Sequence, residues 1–132
     1  MNLNRKELFE EMSKIGMFEE GEYTSEDFES ICEDLADLIW FVDTLFSGND
    51  FETVKKLLLV IFHKYIKDID LLKLLVTLGI VDEIGFSEDE LLKVCISLPD
   101  CIDFIDGIST NNDENTFKKL LLCILYKEKK IR

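Results

Sequence analysis

Three carboxylates spaced three residues apart are the strongest candidate for chemistry in this 132-residue chain. They are Asp100, Asp103 and Asp106, followed by Gly107. Grouped carboxylates can bind Mg²⁺ or Ca²⁺ or transfer protons. Their spacing does not match the EF-hand loop, which alternates oxygen ligands and ends on a later Glu. We favour a solvated helix face and keep a metal-dependent enzyme using these three residues as an alternative.

Other chemically active residues are sparse. His63 is the single histidine, and the sequence identifies neither an orienting carboxylate nor a nucleophile for it. Four cysteines lie in apolar helical patterns without a C-x-x-C pair, so we expect small buried hydrophobes. These cysteines are Cys32, Cys95, Cys101 and Cys123. The sequence also has no glycine-rich phosphate loop and no zinc-protease motif. We therefore predict a non-enzymatic protein without cofactor or metal.

The chain contains an internal repeat. Residues 5–67 align without a gap with residues 68–130, at an offset of 63 residues and with 20 identities. A unit of about 60 residues is marginally stable alone, so we expect the two to share one core. The prediction is an all-α fold: a tandem duplication of a three-helix unit, packed as one globular domain of six to seven helices.

Helix signals recur in each unit. The first helix, predicted over 5–15 and again over 68–78, ends at Gly16 and Gly79, which suit a left-handed cap. The second helix begins after Thr24 and Ser87, each followed by an acidic residue three positions later. It is predicted to continue to about residue 45 in the first unit. In the second unit, a break is expected near Pro99 because proline removes a backbone donor.

The third helix begins at Asn49-Asp50 and at Asn112-Asp113, which are capping residues. Its apolar residues surround the helix in the first unit, from Val54 to Phe62, which indicates a central helix packed on several sides. A tight join to the next unit is expected near residues 66–69. We find no alternation of apolar and polar residues that would predict a strand.

Charge defines the class of partner. The formal net charge is −13, and residues 15–54 contain twelve acidic side chains and no Lys or Arg. This balance argues against direct binding of nucleic acid or of anionic membranes, both of which require basic surfaces. It favours steering toward a basic partner protein. A dense acidic surface can also mimic nucleic-acid phosphates, which gives a second alternative function.

Aligned positions that differ between the units indicate where each unit packs. Glu29 and Glu33 align with Leu92 and Ile96, so we expect Leu92 and Ile96 to pack inward against the first unit. Three aromatic residues align with polar ones: Trp40 with Asp103, Phe46 with Ser109 and Phe51 with Glu114. An inter-repeat junction is the favoured role for these aromatic residues, and an exposed anchor for a partner is the alternative.

The predicted function is that of a small acidic protein that binds and modulates or inhibits another protein. Immunity proteins, antitoxins and phage counter-defence proteins are of this physical type. The candidate partner-binding residues are Glu29, Glu33, Asp37 and Trp40. Residues 1–7 contain no apolar segment, so we expect no secretory signal and a cytoplasmic location. The sequence leaves a homodimer open.

Overall fold

The computed structural model describes residues 3–82 and 87–126, and its regular structure within these ranges is entirely helical. Eight α-helices are described: α1 (Arg5–Ile15), α2 (Ser25–Glu33), α3 (Leu35–Gly48), α4 (Phe51–Tyr65), α5 (Leu71–Thr77), α6 (Glu88–Ile96), α7 (Leu98–Asn111) and α8 (Glu114–Leu125). The predicted all-α class is confirmed. Residues 127–130, which end the second predicted unit, lie outside the described residues.

Helix α1 has the predicted bounds because both of its ends are capped. Asn4 accepts a hydrogen bond from the Glu7 backbone N–H at 3.0 Å, and Gly16 ends the helix with φ 86°. The Met17 N–H then bonds the Met12 carbonyl at 3.2 Å, and the buried Met17 side chain closes the cap. Helix α5 ends in the same way, with Gly79 at φ 74° and Ile80 buried.

The predicted second helix of the first half is wrong in one respect, because it breaks at Asp34. Asp34 has extended backbone angles, φ −113° and ψ 114°, and its carboxylate accepts from the Asp37 N–H at 3.1 Å. The side chain therefore caps α3 and ends α2 without any proline or glycine. Two shorter helices replace one long helix, and this raises the helix count above the predicted six to seven.

The break predicted near Pro99 is confirmed. Helix α6 ends at Ile96, Ser97 is extended with φ −85° and ψ 115°, and Pro99 lies in the first turn of α7. A backbone N–H in the first turn has no partner within the helix, so proline is tolerated there. The two capping boxes are also present, at Thr24 with Asp27 and at Ser87 with Glu90.

Helix α4 is central, as its apolar pattern predicts. It packs against α1, α6 and α7. Its inward side chains are fully or almost fully buried: Val54, Leu57, Leu58, Ile61, Phe62 and Tyr65. A 3₁₀ turn, Ile66–Asp68, then joins α4 to α5 over few residues. The tight join is confirmed.

Helices of the two halves of the chain pack against each other. Helix α3 contacts α8, helix α4 contacts α7, and the buried residues form one apolar cluster drawn from both halves. The Arg5 guanidinium donates to the Leu125 carbonyl at 2.9 and 3.2 Å, which joins the first helix to the end of α8. The position of α3 is therefore fixed both by its neighbour α2 and by the last described helix.

Candidate partner-binding surface

Trp40 is the most exposed large apolar side chain in the described residues, with 60% of its surface accessible. It lies in the middle of α3, whose buried face, with Leu38 and Phe41, packs into the core. The neighbouring residue Thr44 donates its hydroxyl to the Trp40 carbonyl at 2.8 Å. A rigid helix thus holds the indole toward solvent.

Two further apolar side chains on α3 are exposed with Trp40. Leu35 is 46% and Ile39 is 43% accessible. They are four residues apart and so lie one above the other on the same helix face, with Trp40 following Ile39. Large exposed apolar residues clustered on one helix are typical of protein-binding sites. We name Leu35, Ile39 and Trp40 the α3 patch. Of these three residues, only Trp40 is a partner-binding candidate in the sequence analysis.

The three predicted carboxylates lie close to the α3 patch in the sequence. Glu29 and Glu33 are one turn apart on α2 and half-buried, whereas Asp37 is exposed in the first turn of α3. The structure thus distributes the four predicted residues over two packed consecutive helices, with the break at Asp34 between them. Residues 15–54 include no Lys or Arg, and lysines from elsewhere in the chain pair with some of its carboxylates, such as Lys118 with Asp43. The segment itself carries only negative side-chain charges.

The three aromatic residues assigned to one junction separate into two groups. Phe51 lies 5.5 Å from Phe117 between ring centroids, and the Lys118 ammonium lies 5.7 Å from the centroid of the buried Phe46 ring. These two phenylalanines contact the second half of the chain, as predicted. The same prediction is wrong for Trp40, which points into solvent because it lies on the outer face of α3.

The prediction for Ile96 is also wrong. Ile96 is 56% accessible, because it is the last residue of α6 and lies directly before the break at Ser97. Leu92, one turn earlier, is partly buried against the core. Helix α7 has its own exposed apolar residues, Leu98 and Ile102. These resemble Leu35 and Ile39, but an aspartate, Asp103, follows Ile102 where Trp40 follows Ile39.

The alternative metal site is not assembled. Asp100, Asp103 and Asp106 are all exposed on α7, and Asp106 forms an ion pair with Lys55 at 3.3 Å. Within residues 3–82 and 87–126, no group of three His, Cys, Asp or Glu side chains could hold a metal ion.

His63 has a structural contact. Its Nδ1 lies 2.7 Å from the Cys95 carbonyl oxygen. A carbonyl can only accept, so Nδ1 carries the proton and donates it. This hydrogen bond joins the end of α4 to α6 and gives the histidine a structural role.

The cysteines are largely apolar packing residues. Cys32, Cys95 and Cys101 are buried, as predicted, whereas Cys123 is exposed and the prediction is wrong for it. A hydrogen bond to the Cys101 thiol, together with burial, raises the pKa of the Cys95 thiol. A raised pKa keeps that thiol protonated and unreactive.

A cavity beside α3 was not predicted from the sequence. It has a volume of about 420 Å³ and lies between the loop after α1 and the second half of α3. Phe18, Glu19, Glu22, Tyr23 and Phe41 are among the residues that line it. Burial, with Glu22 and Asp27 nearby, raises the pKa of the Tyr23 phenol, so it remains neutral. The cavity depends on the loop path, which no local motif specifies.

Comparison with known proteins identifies no relative of this chain, since no family model, no curated protein and no solved structure matches it. None of the helices in the described part of the chain is long and apolar enough to span a membrane. The functional argument therefore depends on the surface itself.

Proposed function

We propose that this chain is a small acidic, non-enzymatic protein that binds a basic partner protein through α2 and α3 and modulates or inhibits it. The observation that carries the proposal is the α3 patch, with Trp40 at 60% exposure, in the segment of residues 15–54, which contains twelve acidic side chains and no Lys or Arg. Tryptophan is enriched among residues that dominate binding energy, and surrounding carboxylates accelerate encounter with a cationic partner.

The patch favours this function over mimicry of nucleic acid. A nucleic-acid mimic has to reproduce an array of phosphate charges and gains nothing from exposed leucine, isoleucine and tryptophan. The α3 patch instead exposes these apolar residues on a helix that also carries Asp37 and that packs against α2, which carries Glu29 and Glu33. Apolar residues at the centre with charged residues around them are the common anatomy of protein–protein interfaces.

The test is a matched pair of substitutions at Ile39 and Ile102. These two isoleucines are 43% and 41% accessible on α3 and α7, so an introduced aspartate has a similar cost to the fold at each. A tagged wild-type chain and the two variants are used to capture partners from extracts of the cell that makes the protein, and captured proteins are identified by mass spectrometry.

We expect a basic protein that the wild type and Ile102→Asp retain and that Ile39→Asp loses. A partner lost equally by both variants, or by Ile102→Asp alone, contradicts assignment to α3. A captured partner with an acidic surface contradicts the electrostatic part of the proposal.

We further propose that the fold arose by tandem duplication of residues 5–67. Helix bounds support it, because α2 and α3, shifted by 63 residues, coincide with α6 (Glu88–Ile96) and α7 (Leu98–Asn111). Two ion pairs support it as well. Lys55 pairs with Asp106 and Lys118 with Asp43, both at 3.3 Å, and each pair maps onto the other under the same shift.

Reciprocal contacts of this kind are those of a two-fold symmetric dimer. On this proposal, the contact of α4 with α7 corresponds to the contact of α8 with α3. In each contact, the last helix of one half packs on the equivalent helix of the other half. An experimental structure in which residues 5–67 and 68–126 fail to superpose as matching helical units contradicts the duplication.

A further inference from the structure

The cavity beside α3 has walls that are held in place. Asn49, just beyond the end of α3, donates its side-chain amide to the Met17 carbonyl at 3.0 Å and to the Leu45 carbonyl at 2.9 Å. Gly16 turns the chain with a left-handed conformation, and the buried Met17 anchors the following loop. The space of about 420 Å³ is therefore preformed and large enough for a whole side chain.

One wall of the cavity is aromatic. The Tyr23 ring lies 5.6 Å from the Phe18 centroid and 5.3 Å from the Phe41 centroid, nearly perpendicular to each. Phe41 is buried, while Phe18 and Tyr23 are partly accessible. Clustered aromatic rings attract cations through their quadrupoles, and the attraction grows when the cation is partly removed from water.

The other wall is anionic. One oxygen of the Glu22 carboxylate accepts from the Glu19 backbone N–H at 3.0 Å, which fixes this carboxylate at the cavity and leaves its second oxygen for another donor. Glu19 also lines the cavity. Neither glutamate takes part in any ion pair formed within the described ranges of the chain.

We propose that this cavity binds the guanidinium group of an arginine side chain supplied by the basic partner. Guanidinium is planar, stacks on aromatic rings and donates several hydrogen bonds to carboxylates. An ammonium group is smaller and more strongly hydrated, and it gains less from an aromatic wall. The source of the arginine depends on the proposed function, whereas the affinity of the cavity for guanidinium does not.

A second cavity provides an internal control. It lies beside α7, has a volume of about 470 Å³, and is lined by Val81 and Asp82 where the first has Phe18 and Glu19. Phe104 is the single aromatic residue among the described residues that line it. Among the described residues, this second space has one aromatic ring where the first has three, and we therefore expect it not to select a guanidinium group.

The experiment is a titration of the ¹⁵N-labelled full chain with methylguanidinium chloride, followed by amide chemical shifts at constant ionic strength. Methylammonium chloride and sodium chloride are the comparison salts. We expect saturable shifts in residues 16–23 and 41–49 with methylguanidinium, weaker binding of methylammonium, and no saturable shift at Val81 or Asp82.

The variant Glu22→Gln keeps an oxygen acceptor for the Glu19 N–H and removes only the charge. It should weaken methylguanidinium binding about fivefold or more, because a charge-assisted hydrogen bond becomes a neutral one. The control Glu20→Gln makes the same charge change at an exposed neighbour outside the cavity lining, and should leave binding unchanged.

Three results would each overturn the proposal. The shifts could be linear and reproduced by sodium chloride, methylammonium could bind as tightly as methylguanidinium, or Glu22→Gln and Glu20→Gln could have equal effects. Any of these results leaves the α3 patch intact, since the patch is tested separately with Ile39→Asp. Conversely, saturable binding in the cavity with no basic partner captured by the wild-type chain contradicts the proposed function and leaves the guanidinium site in place.

Discussion

The Lys118 ammonium lies 3.3 Å from the Asp43 carboxylate and joins the last described helix, α8, to α3. The same ammonium lies 5.7 Å from the centroid of the Phe46 ring, one turn further along α3. A single lysine therefore contacts a carboxylate and an aromatic face across the boundary between the two halves. This contact holds α3, which carries the candidate binding surface, to α8 at Asp43, one helical turn after Ile39 and Trp40.

Reversing this ion pair should reveal how it couples the two halves. Asp43→Lys and Lys118→Asp each place like charges together and should lower the melting temperature, while the double variant should recover most of the loss. The coupling should be about 0.5 kcal/mol, since the pair is partly exposed to solvent. A thermal-melting double-mutant cycle measures it, and strictly additive effects contradict a direct interaction.

Helices α4 and α8 should not tolerate a charge on their buried faces. Leu58→Asp and Leu121→Asp each place an unpaired carboxylate where the native side chain is fully buried. The cost is several kcal/mol, against a total stability of roughly 5–15 kcal/mol. Far-ultraviolet circular dichroism should show loss of the helical fold in both variants, and Cys123→Asp, at an exposed position of α8, should remain folded. Folded Leu58→Asp and Leu121→Asp proteins contradict a central position for these helices.

Two glycines should respond oppositely to alanine. Gly16 has φ 86°, where a side chain is strained, so Gly16→Ala should destabilise the protein by about 1–2 kcal/mol. Gly107 lies inside α7, and an added methyl group there meets no atom within 4 Å. Gly107→Ala should therefore stabilise it by about 0.5–1 kcal/mol through helix propensity. Urea unfolding measures both, and changes of the same sign contradict the assigned backbone conformations.

Acid should remove one specific contribution to stability. A hydrogen bond from Lys64, at 3.1 Å, holds the pKa of Glu11 below its ordinary value of 4.5. A carboxylate with a lowered folded-state pKa stabilises the fold above its unfolded pKa, and this contribution is lost as the pH falls through the folded value. Glu11→Gln should thus lower the melting temperature at pH 7, and the difference from wild type should vanish below the folded-state pKa. A difference that persists unchanged in strong acid contradicts the ion-pair explanation.

Local signals in the sequence account for the helices whose ends are capped by recognisable residues. The bounds of α1 follow from Asn4 and Gly16. Pro99 agrees with the break between α6 and α7, although the equivalent break at Asp34 forms without a proline. The prediction misses the break at Asp34, although Asp34 is followed by Asp37 at the spacing of Thr24 and Asp27, and aligns with Ser97 in the second unit. The 3.1 Å bond from the Asp37 N–H to the Asp34 carboxylate shows the cap.

Exposure was harder to predict than helix position. Trp40 and Ile96 are predicted to pack between the units because each aligns with a charged residue of the other unit, with an exposed anchor as the alternative for Trp40. The exposure of Trp40 depends on the orientation of α3 after the break at Asp34, which packing against the distant helix α8 fixes. Ile96 is exposed because it is the last residue of α6. The cavity beside α3 likewise depends on long-range contacts, including the hydrogen bond from Asn49 to Met17.

The most direct test of the binding surface uses the single tryptophan of the chain. The protein is labelled with 5-fluorotryptophan, and the ¹⁹F signal of Trp40 is followed while the partner captured by the wild-type chain is added. We predict a solvent-exposed resonance in the free protein that shifts and loses contact with water in the complex, with no such change for Ile39→Asp at the same partner concentration. A Trp40 resonance that stays unchanged and exposed to water in the saturated complex contradicts binding through the α3 patch.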